Sequence, residues 1–263
     1  NTGSHTFTFY TAPMVHWPEV MFTYDETDKV LFSADAFGTF GTLDGGVTDR
    51  DINTEKYWDE MTRYYSNIVG KYGNPVQKAI QKLSGLDIRM ICSTHGPVWT
   101  EQRSKAIAIY DRLSRYEGVK GVTIAYGSMY GHTEQMAETI ACALSEAGVR
   151  EIAMHDVSNT DASYILRDIF NYKGVIIGSP TYSARIFPAI DSLLNQIALR
   201  DVKNRLFGYF GSFTWAGVAV KRLAAFGEEM KWDVVGDPVE QKQNISTEEQ
   251  CIALGKAMAG RLQ

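Results

Sequence analysis

The sequence predicts an α/β protein whose larger part is a doubly wound parallel sheet. Three observations carry this. From Gly121 onward, short apolar runs alternate with stretches of helical length and period. Runs such as "GVIIG" (174–178) and "LFGYFG" (206–211) are apolar without alternation, as suits strands covered on both faces. The stretch "YGSMYGHTEQMA" (126–137) leaves an apolar strand through a loop of Gly, Ser, Met and Tyr and enters a helix at once. A tight hairpin has no use for such a loop; a phosphate-binding loop does.

Composition narrows the function classes. The chain has 263 residues, room for one large domain or two ordinary ones. It is 44% hydrophobic and 22% charged, with a net charge of −5 and no Lys/Arg run, which argues against a nucleic-acid partner. No apolar stretch approaches the roughly 20 residues of a membrane span. The start, "NTGSHTFTFY", lacks signal- or transit-peptide character. It is also unlike a natural start, having no Met and entering a β-rich run almost at once. Cys92, Cys142 and Cys251 are far apart and form no C-x-x-C, so they read as reduced, mostly buried thiols of a cytoplasmic protein.

The first segment opens with short alternating strands at 6–10, 21–24 and 29–33, then a Gly-rich loop at 38–46. Helical patterns cover 54–71 and 75–83, a short strand 89–93, and a helix 102–116. Gly118 suits the left-handed position past a helix end, so the boundary is placed there, giving domains 1–117 and 118–263. In the second segment, strands are predicted at 121–126, 151–156, 174–178, 206–210 and 233–235. Helices are predicted at 133–147, 161–170, 186–199, 216–230 and 247–261. Met136, Ile140 and Leu144 form a buried stripe on the first of these helices. Ser246 with Glu249 reads as a capping box on the last.

Ligands of such sheets bind beyond the carboxyl ends of the strands. Three loops there are informative. In the first, Ser128 and Thr133 offer hydroxyls, Gly131 lets the backbone approach closely, and the amides opening the helix favour an anion. The spacing matches neither G-x-x-x-x-G-K-[ST] nor G-x-G-x-x-G, so a single phosphate fits better than a triphosphate or a dinucleotide. The others, "GSPTYSARIFP" (178–188) and "GSFTWAG" (211–217), combine small polar residues with Tyr182, Phe213 and Trp215, as a planar heteroaromatic ring requires. Residues 120–262 resemble a flavodoxin domain. The resemblance implies the sheet order 2-1-3-4-5 and the cofactor FMN. It puts the phosphate on Ser128, Met129, Tyr130, Gly131, His132 and Thr133. It puts the ring against Pro180, Thr181, Tyr182 and Ser183 and against the loop of Ser212, Phe213, Thr214, Trp215, Ala216 and Gly217. His132 stands where Asn is common in the family, and its side chain is expected to face solvent.

In the first segment, "APMVHWPEVMFTY" sets His16 in a loop before a strand, "LFSADAFG" sets Asp35 at a strand end, and "ICSTHGPVW" sets His95 straight after a strand, before Gly-Pro. Ligands held on stiff turns suit a metal, and three such residues in one segment favour one. "HWPEVMFTY", "LFSADAFG" and "STHGP" resemble the second half of a metallo-β-lactamase-type αββα domain, here incomplete. Joined to a flavodoxin domain, they resemble a flavodiiron protein. That resemblance implies an oxidoreductase that passes electrons from FMN to two non-haem irons and reduces dioxygen to water or nitric oxide to nitrous oxide. His16 would bind one iron and His95 the other, with Asp35 bridging and no catalytic residue beyond these ligands. It also implies a small electron donor, a rubredoxin or a reductase, and a head-to-tail homodimer that brings the flavin of one chain to the metals of the other.

One departure stands out. The family's first ligand cluster, H-x-E-x-D-H, is absent, since none of His5, His16, His95, His132 and His155 begins it. It is expected upstream of residue 1, in a longer protein of which this chain is a cleaved or truncated product able to keep its N-terminal fragment bound. Two other readings stay open: a flavodoxin-like electron carrier without a working metal site, and a zinc hydrolase fused to a flavin domain.

Overall fold

The computed structural model describes residues 1–243 and 245–263. The chain divides into two compact units, Asn1–Glu117 and Gly118–Gln263.

The first unit is built on a four-stranded sheet in the order β1-β2-β3-β4, with β1 Phe7–Thr11, β2 Met21–Asp25, β3 Val30–Phe32 and β4 Met90–Cys92. The first three strands are antiparallel neighbours, and β4 returns parallel to β3 with Leu31 opposite Ile91, both fully buried. The period-2 pattern of β2 buries Phe22 and Tyr24 on one face. The two helices predicted at 54–71 and 75–83 are nearly continuous. Helix α1, Glu55–Tyr64, runs through one π turn (Tyr65–Val69) and one 3-10 turn (Gly70–Tyr72) into α2, Gly73–Leu83. Pro75 falls in the first turn of α2, where a missing N–H costs nothing. Helix α3 spans Arg103–Ser114. Gly73 packs against it so closely that a Cβ would lie 2.4 Å from the Ser114 carbonyl oxygen. The left-handed residue past α3 is Tyr116 (φ 56°), not Gly118. Gly118 is needed for a different reason: a Cβ there would meet the backbone N of Lys173 at 2.6 Å.

The Asp49 carboxylate, 5% exposed, holds the start of α3 from a distant loop. It accepts hydrogen bonds from the amides of Thr100 (3.0 Å), Glu101 (3.0 Å) and Gln102 (2.7 Å) and from the Thr100 hydroxyl. A single side chain thereby gathers the three consecutive amides that lead into α3.

The second unit alternates as the sequence predicts. Its elements are β5 Val119–Tyr126, α4 His132–Glu146, β6 Ile152–Asp156, α5 Ala162–Asn171, β7 Tyr172–Tyr182, β8 Arg185–Ile186, α6 Pro188–Leu199, β9 Leu206–Phe213, α7 Ala219–Met230, β10 Asp233–Val234, β11 Val239–Lys242 and α8 Glu248–Arg261. The parallel order is β10-β9-β7-β5-β6, the expected 2-1-3-4-5 arrangement. Helices α4 and α8 share one face, burying Met136, Ile140, Leu144, Leu254 and Met258 against Val122, Ile124 and Ile176. Gly255 allows their close contact, since a Cβ there would lie 2.9 Å from the Ile140 carbonyl oxygen.

Several details differ from the sequence reading. The fifth strand is split: β10 pairs with Leu206 and Phe207, and β11 with Phe210 through Phe213. The left-handed Gly236 (φ 71°) lies in the break. Helix α7 starts at Ala219 rather than 216, because 214–217 remain loop, and α6 starts at Pro188 because Ile186 pairs with Thr181. The capping box on α8 does not form. Thr247 sits at the N-cap without a capping bond, its hydroxyl bonded instead to Gln241 Oε1 (2.9 Å). Of the thiols only Cys251 is buried; Cys142 is exposed and Cys92 half-buried. Among the described residues, no helix is long and apolar enough to cross a membrane.

Candidate functional site

In the second unit, the loops after β5, β7 and β9 meet at the carboxyl end of the sheet around a cavity of about 550 Å³. Hydroxyls stitch the three loops together. Thr133, 1% exposed at the start of α4, bonds through Oγ1 to Ser212 Oγ at 2.8 Å, joining the first loop to the third. Thr181 Oγ1 accepts the amides of Val218 (3.0 Å) and Ala219 (3.2 Å), joining the second to the third. Ser179 Oγ accepts the Phe187 amide at 3.1 Å. The Gly127 amide donates to the Gly178 carbonyl at 3.0 Å and anchors the first loop to β7.

The first loop ends at Gly131 (φ 85°), a backbone state that favours glycine. Its amide donates to Ser128 Oγ at 3.2 Å, so Ser128 is turned into its own loop and does not line the cavity; nor does Gly131. Met129, Tyr130, His132 and Thr133 do. His132 is half-buried against the cavity rather than directed to solvent, because α4 starts at that residue. Pro180, Thr181, Tyr182 and Ser183 line the second wall, and Ser212, Phe213, Thr214, Trp215 and Ala216 the third. Gly217 does not line it; it lies beneath the carboxylate of the exposed Glu240 side chain. At the mouth, Tyr130 and Trp215 are 84% and 88% exposed.

The sequence reading missed three lining residues: Ala184, Gln241 and Gln243. Ser183 and Ala184 form a two-residue turn between β7 and β8, with Tyr182 opposite Arg185 and both turn residues left-handed (φ 46° and 56°). Such turns prefer Asn-Gly, so "SA" carries no hairpin signal. Gln241 and Gln243 arrive on and just after β11, whose sequence "VEQK" is too polar to read as a parallel strand.

In the first unit, His16, Asp35 and His95 come together. Asp35 Oδ2 lies 3.2 Å from His16 Nε2, and Oδ1 lies 3.5 Å from His95 Nε2. Neither approach has hydrogen-bond geometry. Two donors about 2.1 Å from one metal lie about 3.0 Å apart at right angles and about 3.4 Å apart at the tetrahedral angle. The observed spacings fall within that range for His16 and just beyond it for His95, one imidazole to each carboxylate oxygen, so the donor set fits a pair of metals sharing a bridging carboxylate. The loops carrying Asp35 and His95 are latched to each other. The Thr94 amide donates to the Ala34 carbonyl (2.9 Å), Ser93 Oγ to the same carbonyl (3.1 Å), and the Thr39 amide to the His95 carbonyl (3.4 Å). Gly38 leaves room for both loops; a Cβ there would lie 2.9 Å from Asp35 O and Ser93 Oγ. The buried Tyr64 ring flanks His95, with centroids 5.6 Å apart. Burial, and secondly the Asp35 charge, push its hydroxyl above the ordinary tyrosine range.

Among the described residues, one group gathers three donor atoms within 4.8 Å of one another: His5, Asp25 and Asp28. There His5 Nδ1 is hydrogen-bonded to Asp25 Oδ2 at 2.7 Å, and Asp25 also accepts the Thr27 amide, so the carboxylate already has its partners.

Residues 124–255, half of the chain, match the flavodoxin family, and residues 1–96 match the ODP family of β-lactamase domains. A nitric oxide reductase of Moorella thermoacetica is 29% identical over 99% of this chain and 66% of its own length. The rubredoxin oxygen:oxidoreductase of Desulfovibrio gigas superposes with a TM-score of 0.92 at 30% identity, over 98% of this chain and 65% of that one. The flavodiiron protein of Giardia intestinalis gives 0.94 at 28% identity, over 100% and 65%. The chain belongs to the flavodiiron family. It spans about two thirds of the length of these relatives. In this flavodiiron chain, His16, Asp35 and His95 all fall within the β-lactamase match, and all three cavity loops fall within the flavodoxin match.

Proposed function

We propose that this chain provides the flavin site and part of the metal site of an oxidoreductase. Electrons pass from FMN to a non-haem diiron centre, which reduces dioxygen to water, nitric oxide to nitrous oxide, or both. The observation that carries the proposal is the Asp35 carboxylate, which presents one oxygen to each of two imidazoles. A lone ion would need these donors to converge, and they do not.

The cavity supports FMN on size and chemistry. At about 550 Å³ it suits one flavin. The hydroxyl of Thr133 and the opening amides of α4 would hold the phosphate. Tyr130, His132 and Met129 flank that end, and Tyr182, Phe213 and Trp215 offer flat or apolar surface to the ring. Pro180, Thr181, Ser183, Ser212, Thr214 and Ala216 supply the small polar wall, while Ser128, Gly131 and Gly217 shape the loops from behind. Bound there, FMN would supply one-electron transfer, and a metal pair would supply redox-active binding of nitric oxide or dioxygen. His16 and His95 would each hold one iron, and Asp35 would bridge them. Three donors are few for two irons, and water or further ligands would complete each coordination shell.

The exposed Tyr130 and Trp215 at the cavity mouth suit a docking partner. A small donor such as rubredoxin fits the name of the Desulfovibrio relative, and a head-to-tail homodimer would present the flavin of one chain to the metals of the other. A cytoplasmic location agrees with the free thiols. The test is iron and flavin per chain in the purified protein, with Asp35→Ala alongside. About two irons and one FMN are expected. Asp35→Ala should abolish gas reduction and leave flavin reduction by the donor intact. Flavin with no iron would leave an electron carrier, and zinc in place of iron a hydrolase. Turnover that survives Asp35→Ala would sink the bridging role.

A further inference from the structure

The geometry points to Thr94 as the residue that sets the orientation of the Asp35 carboxylate, and so makes it available to both imidazoles at once. This rests on reading His16, Asp35 and His95 as metal donors.

Asp35 has a soft final torsion, because rotation about the bond to its carboxyl group is broad and roughly two-fold. Turning the group by a quarter rotation would take both oxygens off the line between His16 and His95, and no contact with either imidazole has hydrogen-bond geometry to prevent it. The directed contact is the Thr94 hydroxyl, which donates to Oδ1. That donor is itself stiff. Thr94 is β-branched, which restricts its first side-chain torsion. Its amide is tied to the Ala34 carbonyl at 2.9 Å, one residue before Asp35. The neighbouring Ser93 hydroxyl is committed to the same carbonyl and does not compete for the carboxylate. A carboxylate oxygen has two lone pairs, so Oδ1 can accept from Thr94 and still face His95 with the other. Thr94 is a positioning residue: it acts through Asp35 and need not touch the metals. Being exposed, it contributes little to the core.

The test is an anaerobic titration of the flavin-loaded protein with Co²⁺ against a competing chelator. Wild type, Thr94→Val, Thr94→Ala and Thr94→Ser are compared. Loss of an outer partner of a metal ligand typically weakens metal binding about 10- to 100-fold. Thr94→Val and Thr94→Ala should show that loss with a changed Co²⁺ visible spectrum, at unchanged flavin content and unfolding midpoint. Thr94→Ser, which keeps the hydroxyl, should recover most of the affinity and the wild-type spectrum. Wild-type affinity and spectrum in both Val and Ala variants would overturn the role of Thr94 and leave the metal site standing. A wild-type protein that binds no Co²⁺ would overturn the metal reading itself.

Discussion

Thr181→Val removes one hydroxyl and nothing else of size, yet it should loosen the wall of the flavin cavity. Helix α7 has no capping bond from its own N-cap residue, Val218. Its first amides reach instead to Thr181 Oγ1 on β7, at 3.0 Å from Val218 N and 3.2 Å from Ala219 N. Ala219 is 1% exposed, so its N–H would lose its partner with no water to replace it, at a cost of about 1–3 kcal/mol. Val218 is half-buried and would recover part of its loss from solvent. Together the two amount to about 2–3 kcal/mol, or about 30- to 150-fold in a local opening equilibrium. Native-state hydrogen exchange at residues 212–222 should read that acceleration, with FMN affinity falling in parallel. Thr181→Ser should stay near wild type. Exchange within about twofold of wild type in Thr181→Val would refute the view that this hydroxyl caps α7.

Asp49 gives a pH prediction. Burial alone would raise its carboxyl, but hydrogen bonds from Thr100, Gln102 and Glu101 outweigh that and hold it below the ordinary value. The stabilisation is therefore present above the unfolded value, roughly 3.9, and is lost as pH falls through the lowered folded value. Asp49→Asn should lower the urea midpoint at pH 7 and flatten its fall between pH 5 and 3; an unchanged acid limb would count against it. Ala184→Gly should stabilise. A left-handed non-glycine residue costs about 1–2 kcal/mol and glycine's extra unfolded-state freedom returns about 0.5–1 kcal/mol, leaving about 0.5–1 kcal/mol of gain in urea unfolding. Destabilisation would show that the Ala184 methyl packs usefully in the cavity wall.

The parallel sheet was legible because its strands are continuous apolar runs that need cover on both faces and the chain supplies helices between them, whereas its strand order came from the resemblance to flavodoxin. Strands β8 and β11 were not, since two residues and a polar tetrapeptide become strands only by lying beside β7 and β9. The near-continuous passage from α1 to α2 escaped for a related reason: Gly70, Gly73 and Pro75 read as a break, and the packing of Gly73 on α3 that holds them in helical turns is tertiary. Tyr116 took the left-handed turn predicted for Gly118, whose small size serves the approach of Lys173. Motif residues such as His16, Asp35 and His95 announce themselves through strand ends and Gly-Pro turns. Their supporting contacts do not. Thr94 with Asp35 and Thr181 with Ala219 are separated by 59 and 38 positions, and no local pattern marks a hydroxyl that works at such range.

The split fifth strand bears on how the molecule keeps to itself. A β-sheet margin left as an unbroken row of amides and carbonyls is a template on which another chain can crystallise. Here that margin is two ledges, of two and four residues, with Gly236 and Pro238 turning the chain away between them. Glu240 and Lys242 stand exposed on the longer ledge. An incoming strand would find no run long enough to zip along, and would meet charge where it tried. The interruption that delivers Gln241 to the cavity thus also leaves this margin of the sheet a poor seed for aggregation.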